Sequence, residues 1–344
     1  MEFDLKHTFY IGSYTDGVGM GLYHAELSDG GAPRVIGSYE SVSPSYIIRS
    51  LDGRYIYAAN EAGKVDGVPG GAVTAFRVSD GGAPEKVVTR TNCGGAPCHL
   101  MERGGYLYVS NYGDGSVTVY PLEDGVPGEA EFKHQHEGSG PVKGRQGGPH
   151  AHCTMAVPGG GEICVVDLGI DQARFYRKEG KALALAQALT LSGGDGPRHV
   201  AFSGDGRFGW IVTELSCKVY SIRRGAGGWE ITGEHPTLPA GYAGESSCAA
   251  VRLTGDGKLL AASNRGHDSI AVFDVDGGTG LLTPAGIFPV GGATPRDIGF
   301  SPDGRWLVSA NQDSDSVTVL SVRDGFKVAE GAIVSVSKPT SILF

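Results

Sequence analysis

The sequence predicts an all-β fold, and three observations predict it. One pattern recurs along the 344 residues: a proline-led apolar strand, a turn ending in Asp-Gly or Gly-Gly, a second apolar strand, a polar pair, and an alternating third strand. The recurring segments alternate with period two and are rich in β-branched and aromatic residues, which excludes helical repeats. The 57 glycines follow no G-X-Y period and are spread along the chain, as many tight turns require. The pattern reads "SPSYIIRSLDGRYIYAANE" from Ser43, then "APCHLMERGGYLYVSNYGDGSVTVYPL" and "GPHAHCTMAVPGGGEICVVDLGIDQARFYR". It continues as "GPRHVAFSGDGRFGWIVTELSCKVYSI", "SSCAAVRLTGDGKLLAASNRGHDSIAVFDV" and "TPRDIGFSPDGRWLVSANQDSDSVTVLSV". Pro44, Pro97, Pro149, Pro197, Pro295 and Pro339 mark the register, and Cys248 fills the place between Pro197 and Pro295. The six steps are roughly 49 residues each, the length of a four-stranded antiparallel propeller blade.

The two ends of the chain set the number of blades. The final "KPTSILF" matches the opening strand of a blade, and "HTFYIGSYTDGVGMGLYHAEL" near the start matches a second and third strand with no opening strand before them. Together they complete one further blade, so a seven-bladed β-propeller closed jointly by the N- and C-terminal segments is expected. No linker interrupts the repeat, and residues 1–344 read as one domain.

Propeller strands run alternately down and up. The residue after each proline and the polar residues ending each second strand therefore share one rim. The post-proline positions are Ser45, Cys98, His150, Arg198, Ala249, Arg296 and Thr340. The second strands end at Tyr14, Glu61, Tyr112, Asp167, Glu214, Arg265 and Gln312. Asn60, Asn111, Asn264 and Asn311 recur at one blade position and read mostly as turn-closing residues. His150, Arg198, Glu214 and Arg265 stand where most blades carry something smaller or neutral, and are the catalytic candidates. His152, His199, Arg296, Asp167 and Asn264 are the substrate-binding candidates. Acid, base and several guanidinium groups on one rim suit a small anionic substrate. A metal site built from His150, His152 and a carboxylate such as Asp167 or Glu214 is the rival, but the arginines nearby would oppose a cation. No metal and no cofactor is expected. His134 and His136, in the loop ahead of "GPHAH", read as solvated.

Bulk properties narrow the partners. A net charge of −9 disfavours nucleic acid. No run of about 18 apolar residues is present, so no membrane partner is expected. The N-terminal "MEFDLKHTFYIGSY" has no signal-peptide core, and the six cysteines form no C-x-x-C pair, so buried reduced thiols in a cytoplasmic protein are expected.

The motifs "GPHAH", "VVDLGID", "GPRHVAF", "VTEL", "SNRGHDSIAVF" and "TPRDIGFSPDGRWLVSANQ" resemble those of the seven-bladed lactonase family, which includes propeller-type 6-phosphogluconolactonases and fungal carboxymuconate-lactonising enzymes. The resemblance spans essentially the whole chain. It implies a catalytic set on His150 (or His152), Arg198, Glu214 and Arg265. It departs at "CAAV", where Ala250 stands in place of a glutamate common in the family. The implied activity is hydrolysis of a sugar-acid lactone, foremost 6-phosphogluconolactone, by base-assisted attack of water with arginine stabilising the oxyanion and no cofactor. His150 or Glu214 would serve as base, Arg198 as the oxyanion partner, and Arg265 with Arg296 as the fork for a phosphate or carboxylate. The alternatives are cycloisomerisation of a muconate-type carboxylate and, from another class, a non-catalytic binding platform.

Overall fold

The structure, a computed structural model, describes residues 7–16, 18–78 and 83–344. Seven antiparallel sheets follow one another around an axis, as the repeat predicts. In blade 1 the strands are Pro44–Arg49, Tyr55–Asn60, Ala72–Arg77 and Glu85–Thr91. The innermost strands of blades 2 to 6 are Pro97–Arg103, Ala151–Ala156, Pro197–Phe202, Ser247–Leu253 and Pro295–Phe300. The seventh blade pairs the C-terminal strand Pro339–Leu343 with His7–Ser13, followed by Gly21–Leu27 and Pro33–Glu40. Blade 2 carries a small extra strand, Val126–Pro127, and a two-residue hairpin, Lys64–Val65 with Val68–Pro69, is inserted in blade 1.

Both faces of each sheet are covered by the neighbouring blades. This is why second strands such as Tyr55–Asn60 are buried along their whole length and read as apolar runs. The core is divided accordingly into seven apolar clusters, one per interface. Phe9, Ile11, Trp306 and Val319 join blades 6 and 7, and Tyr10, Leu22, Ile47 and Ile56 join blade 7 to blade 1. The turn between first and second strands repeats one device. Ser50, Ser203 and Ser301 (Thr254 in blade 5) donate to Asp52, Asp205, Asp303 and Asp256, and the next residue, a glycine, takes a positive φ. Those glycines, 53, 206, 304 and 257, sit at φ of 76, 68, 69 and 72°, where a side chain would be strained.

The innermost strands share a feature that positions the site. Each loses register near its start: between Pro44 and Tyr46, Pro97 and His99, Ala151 and Cys153, Pro197 and His199, and Pro295 and Asp297 after the first pair, and in blade 5 between Cys248 and Val251, after the second pair, where both Ala249 and Ala250 are left unpaired. The shift in the last blade falls at Thr340, between the pairs Gly12–Ser341 and Ser13–Pro339. The unpaired residues of these bulges form the inner ring: Ser45, Cys98, His152, Arg198, Ala249, Arg296 and Thr340. The third member is His152, not His150. Ala151, not Pro149, pairs with Asp167 and so holds the place that proline occupies in five other blades.

Three of the four recurrent asparagines clasp the linker that enters their blade, while Asn311 donates to Thr318, whose hydroxyl bonds the Val290 carbonyl of the linker instead. Asn60 Nδ2 donates to the Val42 carbonyl at 2.6 Å, Asn111 to that of Cys93 at 3.1 Å, and Asn264 to that of Thr237 at 2.9 Å. Asn111→Ala removes a buried amide that bonds the Cys93 carbonyl, Ser116 and Thr118, and should cost about 1–3 kcal/mol although Thr118 still donates to that carbonyl. This is read as a lowered urea midpoint at unchanged slope, and an unmoved midpoint would show that the clasp contributes nothing.

Candidate active site

At one end of the axis lies a pocket of about 300 Å3, lined by Glu61, Cys98, Tyr112, Arg145, His152, Arg198, Glu214, Ser247, Arg265 and Arg296. It opens into a wider vestibule that shares Ser247, Arg265 and Arg296 and adds Glu245, Thr294, Gln312 and Asp313. Two structural positions supply most of the wall. The bulges supply Cys98, His152, Arg198 and Arg296. The residues just past the second strands supply Glu61, Tyr112 and Glu214, each of whose N–H bonds the carbonyl before the innermost strand: Glu61 to Ser43, Tyr112 to Ala96, Glu214 to Gly196.

Glu214 is the electrostatic hub. Its Oε2 accepts from Arg198 Nε at 2.9 Å and pairs with Arg265 Nη2 at 3.0 Å, while Oε1 accepts from Arg145 Nη2. Burial opposes ionisation of this carboxyl, but Arg265, Arg198, His152 and Arg145 outweigh it and hold Glu214 far below the usual carboxylate range. Such a carboxylate is a permanent counter-charge and a poor proton acceptor, so it is unsuited to the general-base role. Arg198 is 3 % exposed and its pKa is lowered to about 10, first by burial and then by Arg265. Its Nη1 donates to the Ala249 carbonyl at 2.8 Å. Its Nη2 makes no hydrogen bond among the described residues and is left for a ligand.

His152 is 4 % exposed. Burial first, then Arg198, holds its pKa well below 6.5, so the imidazole is neutral near pH 7. Its Nδ1 lies 3.8 Å from Cys98 Sγ, and its Nε2 makes no hydrogen bond among the described residues. At the opposite wall Arg296 Nη2 donates to the Tyr14 hydroxyl at 2.7 Å, and that hydroxyl donates to Glu61 at 2.8 Å.

Several expected residues lie elsewhere. His150 does not line the pocket. It precedes the innermost strand, its carbonyl accepts from Leu168 N, its ring stacks on Tyr112 at 4.4 Å, and its Nδ1 donates to the Tyr112 carbonyl at 2.7 Å. Asp167 is wholly buried away from the pocket: Oδ1 accepts from the amides of His150 and Gly169, and Oδ2 pairs with His136 Nδ1 at 2.7 Å. His136 is therefore a core residue, also bonded to the Tyr176 hydroxyl, and not solvated; His134 is half-buried against Tyr176. The amide of Asn264 is likewise used within its blade, by Thr237, Ser269 and Cys248. His199 lies beneath the pocket rather than in its wall.

Arg145 was not among the expected residues. It belongs to the loop of residues 136–150, which has no counterpart in the repeat. That loop is pinned by Gln146, fully buried and bonded to the Leu168 carbonyl and Asp171. The cue is a solitary arginine in a glycine-rich segment next to the candidate histidines. Among the described residues no group of three or more His, Cys, Asp or Glu side chains is disposed to hold a metal, no helix is long and apolar enough to cross a membrane, and all six cysteines are free and buried.

A deep axial pocket with an excess of guanidinium groups and a neutral imidazole defines a small-molecule enzyme rather than a docking surface. Comparison gives the family. The family model "Lactonase, 7-bladed beta-propeller" matches residues 8–344, and the chain belongs to that family of lactone-hydrolysing carboxylic-ester hydrolases. It is 29% identical to the 6-phosphogluconolactonase of Bacillus subtilis over 352 residues, with 98% of each chain covered. A Staphylococcus epidermidis protein without an assigned function is 33% identical over 323 residues, 92% of each. Among solved structures, the periplasmic gluconolactonase of Pseudomonas aeruginosa superposes with a TM-score of 0.89 at 29% identity, covering 98% of each chain.

Glu214→Gln removes the charge that three arginines share and should cost about 3–5 kcal/mol at neutral pH. A carboxyl depressed in the folded state stabilises fully above its ordinary value of 4.5, and the stabilisation is lost as pH falls toward the folded value. The stability gap between wild type and variant should therefore stay constant above about pH 6 and narrow below about pH 4.5 in urea titrations. A gap that widens on acidification would contradict the hub.

Proposed function

We propose that the protein hydrolyses a phosphorylated sugar δ-lactone, 6-phosphogluconolactone being the best fit. One observation carries the choice of a phosphorylated substrate: four guanidinium groups against two carboxylates line the pocket, an excess of two positive charges that matches a phosphate dianion. The Bacillus subtilis relative supports the same reading. The Pseudomonas aeruginosa neighbour, a gluconolactonase, makes the unphosphorylated lactone the comparison substrate.

In this reading Arg265 and Arg296, which face both pocket and vestibule, hold the phosphate, with Arg145 at the rim. His152 Nε2 takes a proton from water as the water oxygen bonds to the lactone carbonyl carbon. The carbonyl oxygen becomes an oxyanion, stabilised by Arg198 Nη2. As the tetrahedral intermediate collapses, the ring C–O bond breaks and the departing ring oxygen takes the proton from His152. The product is a hydroxy acid, which ionises. Glu214 exchanges no proton and keeps Arg198 and Arg265 in place.

The test is a hydrolysis assay corrected for the spontaneous reaction, run in parallel on 6-phosphogluconolactone and δ-gluconolactone. Expected are at least about tenfold higher kcat/KM for the phosphorylated lactone and a loss of about 100-fold or more in kcat for His152→Gln. Equal kcat/KM for the two lactones would remove the phosphate assignment, and full activity in His152→Gln would remove the base.

A further inference from the structure

Beneath the pocket the axis continues into a column of imidazoles. The ring of His152 meets that of His199 edge-on at 5.4 Å, His199 meets His99 in the same way at 5.4 Å, and His99 stacks on Tyr46 at 4.2 Å. The hydrolytic scheme uses only the first of these.

His199 touches the reaction through Arg198. Its Nε2 lies 3.3 Å from Arg198 Nη1. A guanidinium has donors only, so Nε2 accepts, and the proton of the neutral ring sits on Nδ1. Burial, then Arg198, His152, His99 and Arg252, disfavour a second proton on this ring. Two carboxylates line the space below His199: Asp297 is occupied by Arg252 at 2.7 Å and the Ile342 amide at 3.0 Å, and Glu61 accepts from the Tyr14 hydroxyl at 2.8 Å. Among the described residues the buried Nδ1–H of His199 has no partner, and neither has the buried hydroxyl of Ser45. Unpartnered buried donors are rare in native proteins. Both residues line a small void directly below the pocket, bordered also by His152, Arg198, Arg296, Glu61 and Asp297, in which the centre of a water-sized molecule has about 10 Å3 to move. That is the space of a single water, and the lining is polar enough to hold one.

We propose that this void binds one water between His199 Nδ1–H and Ser45 Oγ, and that His199 is a positioning residue which fixes Arg198 toward the lactone carbonyl. The water anchors the ring from below, and Nε2 anchors Arg198 Nη1 from above. With the Ala249 carbonyl and Glu214 holding the other edges of the guanidinium, Nη2 is left pointing at the substrate. The functional half of this inference rests on the hydrolytic reading; the tautomer and the water do not.

Two measurements test it. In the intact protein, 15N shifts of His199 should show a protonated Nδ1 and an unprotonated Nε2, unchanged over roughly pH 5–8. In the lactone assay, His199→Leu should lower kcat about tenfold or more with KM nearly unchanged, because an interaction made only in the transition state is misaligned. His199→Gln should recover most of it, since its amide can accept from Arg198 and donate to the water. An Nε2–H tautomer, titration within that window, or wild-type kcat in His199→Leu overturns the proposal. If the leucine variant does not fold, the glutamine variant and the tautomer decide. A wild-type chain that accelerates no lactone would overturn the assigned reaction instead, and the tautomer would still decide the water site.

Discussion

Three guanidinium groups cannot share one buried mouth without a counter-charge. At about 4 Å two like charges near a protein surface repel by about 4 kcal/mol, more than the gain from any single neutral hydrogen bond. Glu214 resolves this with both oxygens, binding Arg198 and Arg265 through one and Arg145 through the other. Its own place is fixed by backbone: its N–H bonds the Gly196 carbonyl, and its carbonyl accepts from Cys248 N, so one residue joins the inner ends of blades 4 and 5. The close packing of the three arginines and the orientation of Arg198 depend on this carboxylate staying ionised, whereas burial and Arg198 keep His152 neutral against its pull.

The second constraint is geometric. A regular innermost strand would send alternate side chains into the interfaces on either side. A bulge near its start leaves one residue unpaired at the axis in six blades and two, Ala249 and Ala250, in blade 5, and the device repeated around the axis makes a ring. The positions are equivalent but the chemistry differs: serine, cysteine, histidine, arginine, alanine, arginine and threonine. The scaffold is therefore uniform while the site is strongly asymmetric, with its cations clustered on blades 4 to 6 and the loop before blade 3.

The fold was legible in the sequence because proline, Asp-Gly turns and apolar runs report backbone requirements that every blade shares. Most of the rim was legible for the same reason: Arg198, Arg265, Arg296 and Glu214 sit at repeat positions. His150 was misplaced because Pro149 resembles the other register prolines yet lies two residues too early. The spacing carried the correction. Sixteen positions separate Pro44 from Asn60, Pro197 from Thr213 and Pro295 from Asn311, and sixteen back from Asp167 is Ala151. Asp167 and His136 form a buried pair between a strand end and a loop, which no local pattern encodes. Arg145 was invisible because its loop belongs to no repeat and is shaped by one long-range contact, that of Gln146.

The most direct measurement is a crystal structure with 6-phosphogluconate, the proposed product, bound. It should show the phosphate between Arg265 and Arg296 and the carboxylate within hydrogen-bond reach of Arg198 Nη2 and His152 Nε2, with Glu214 still bridging its arginines. A ligand bound away from the axial pocket, or one that displaces Glu214 from Arg198, would contradict the central claim.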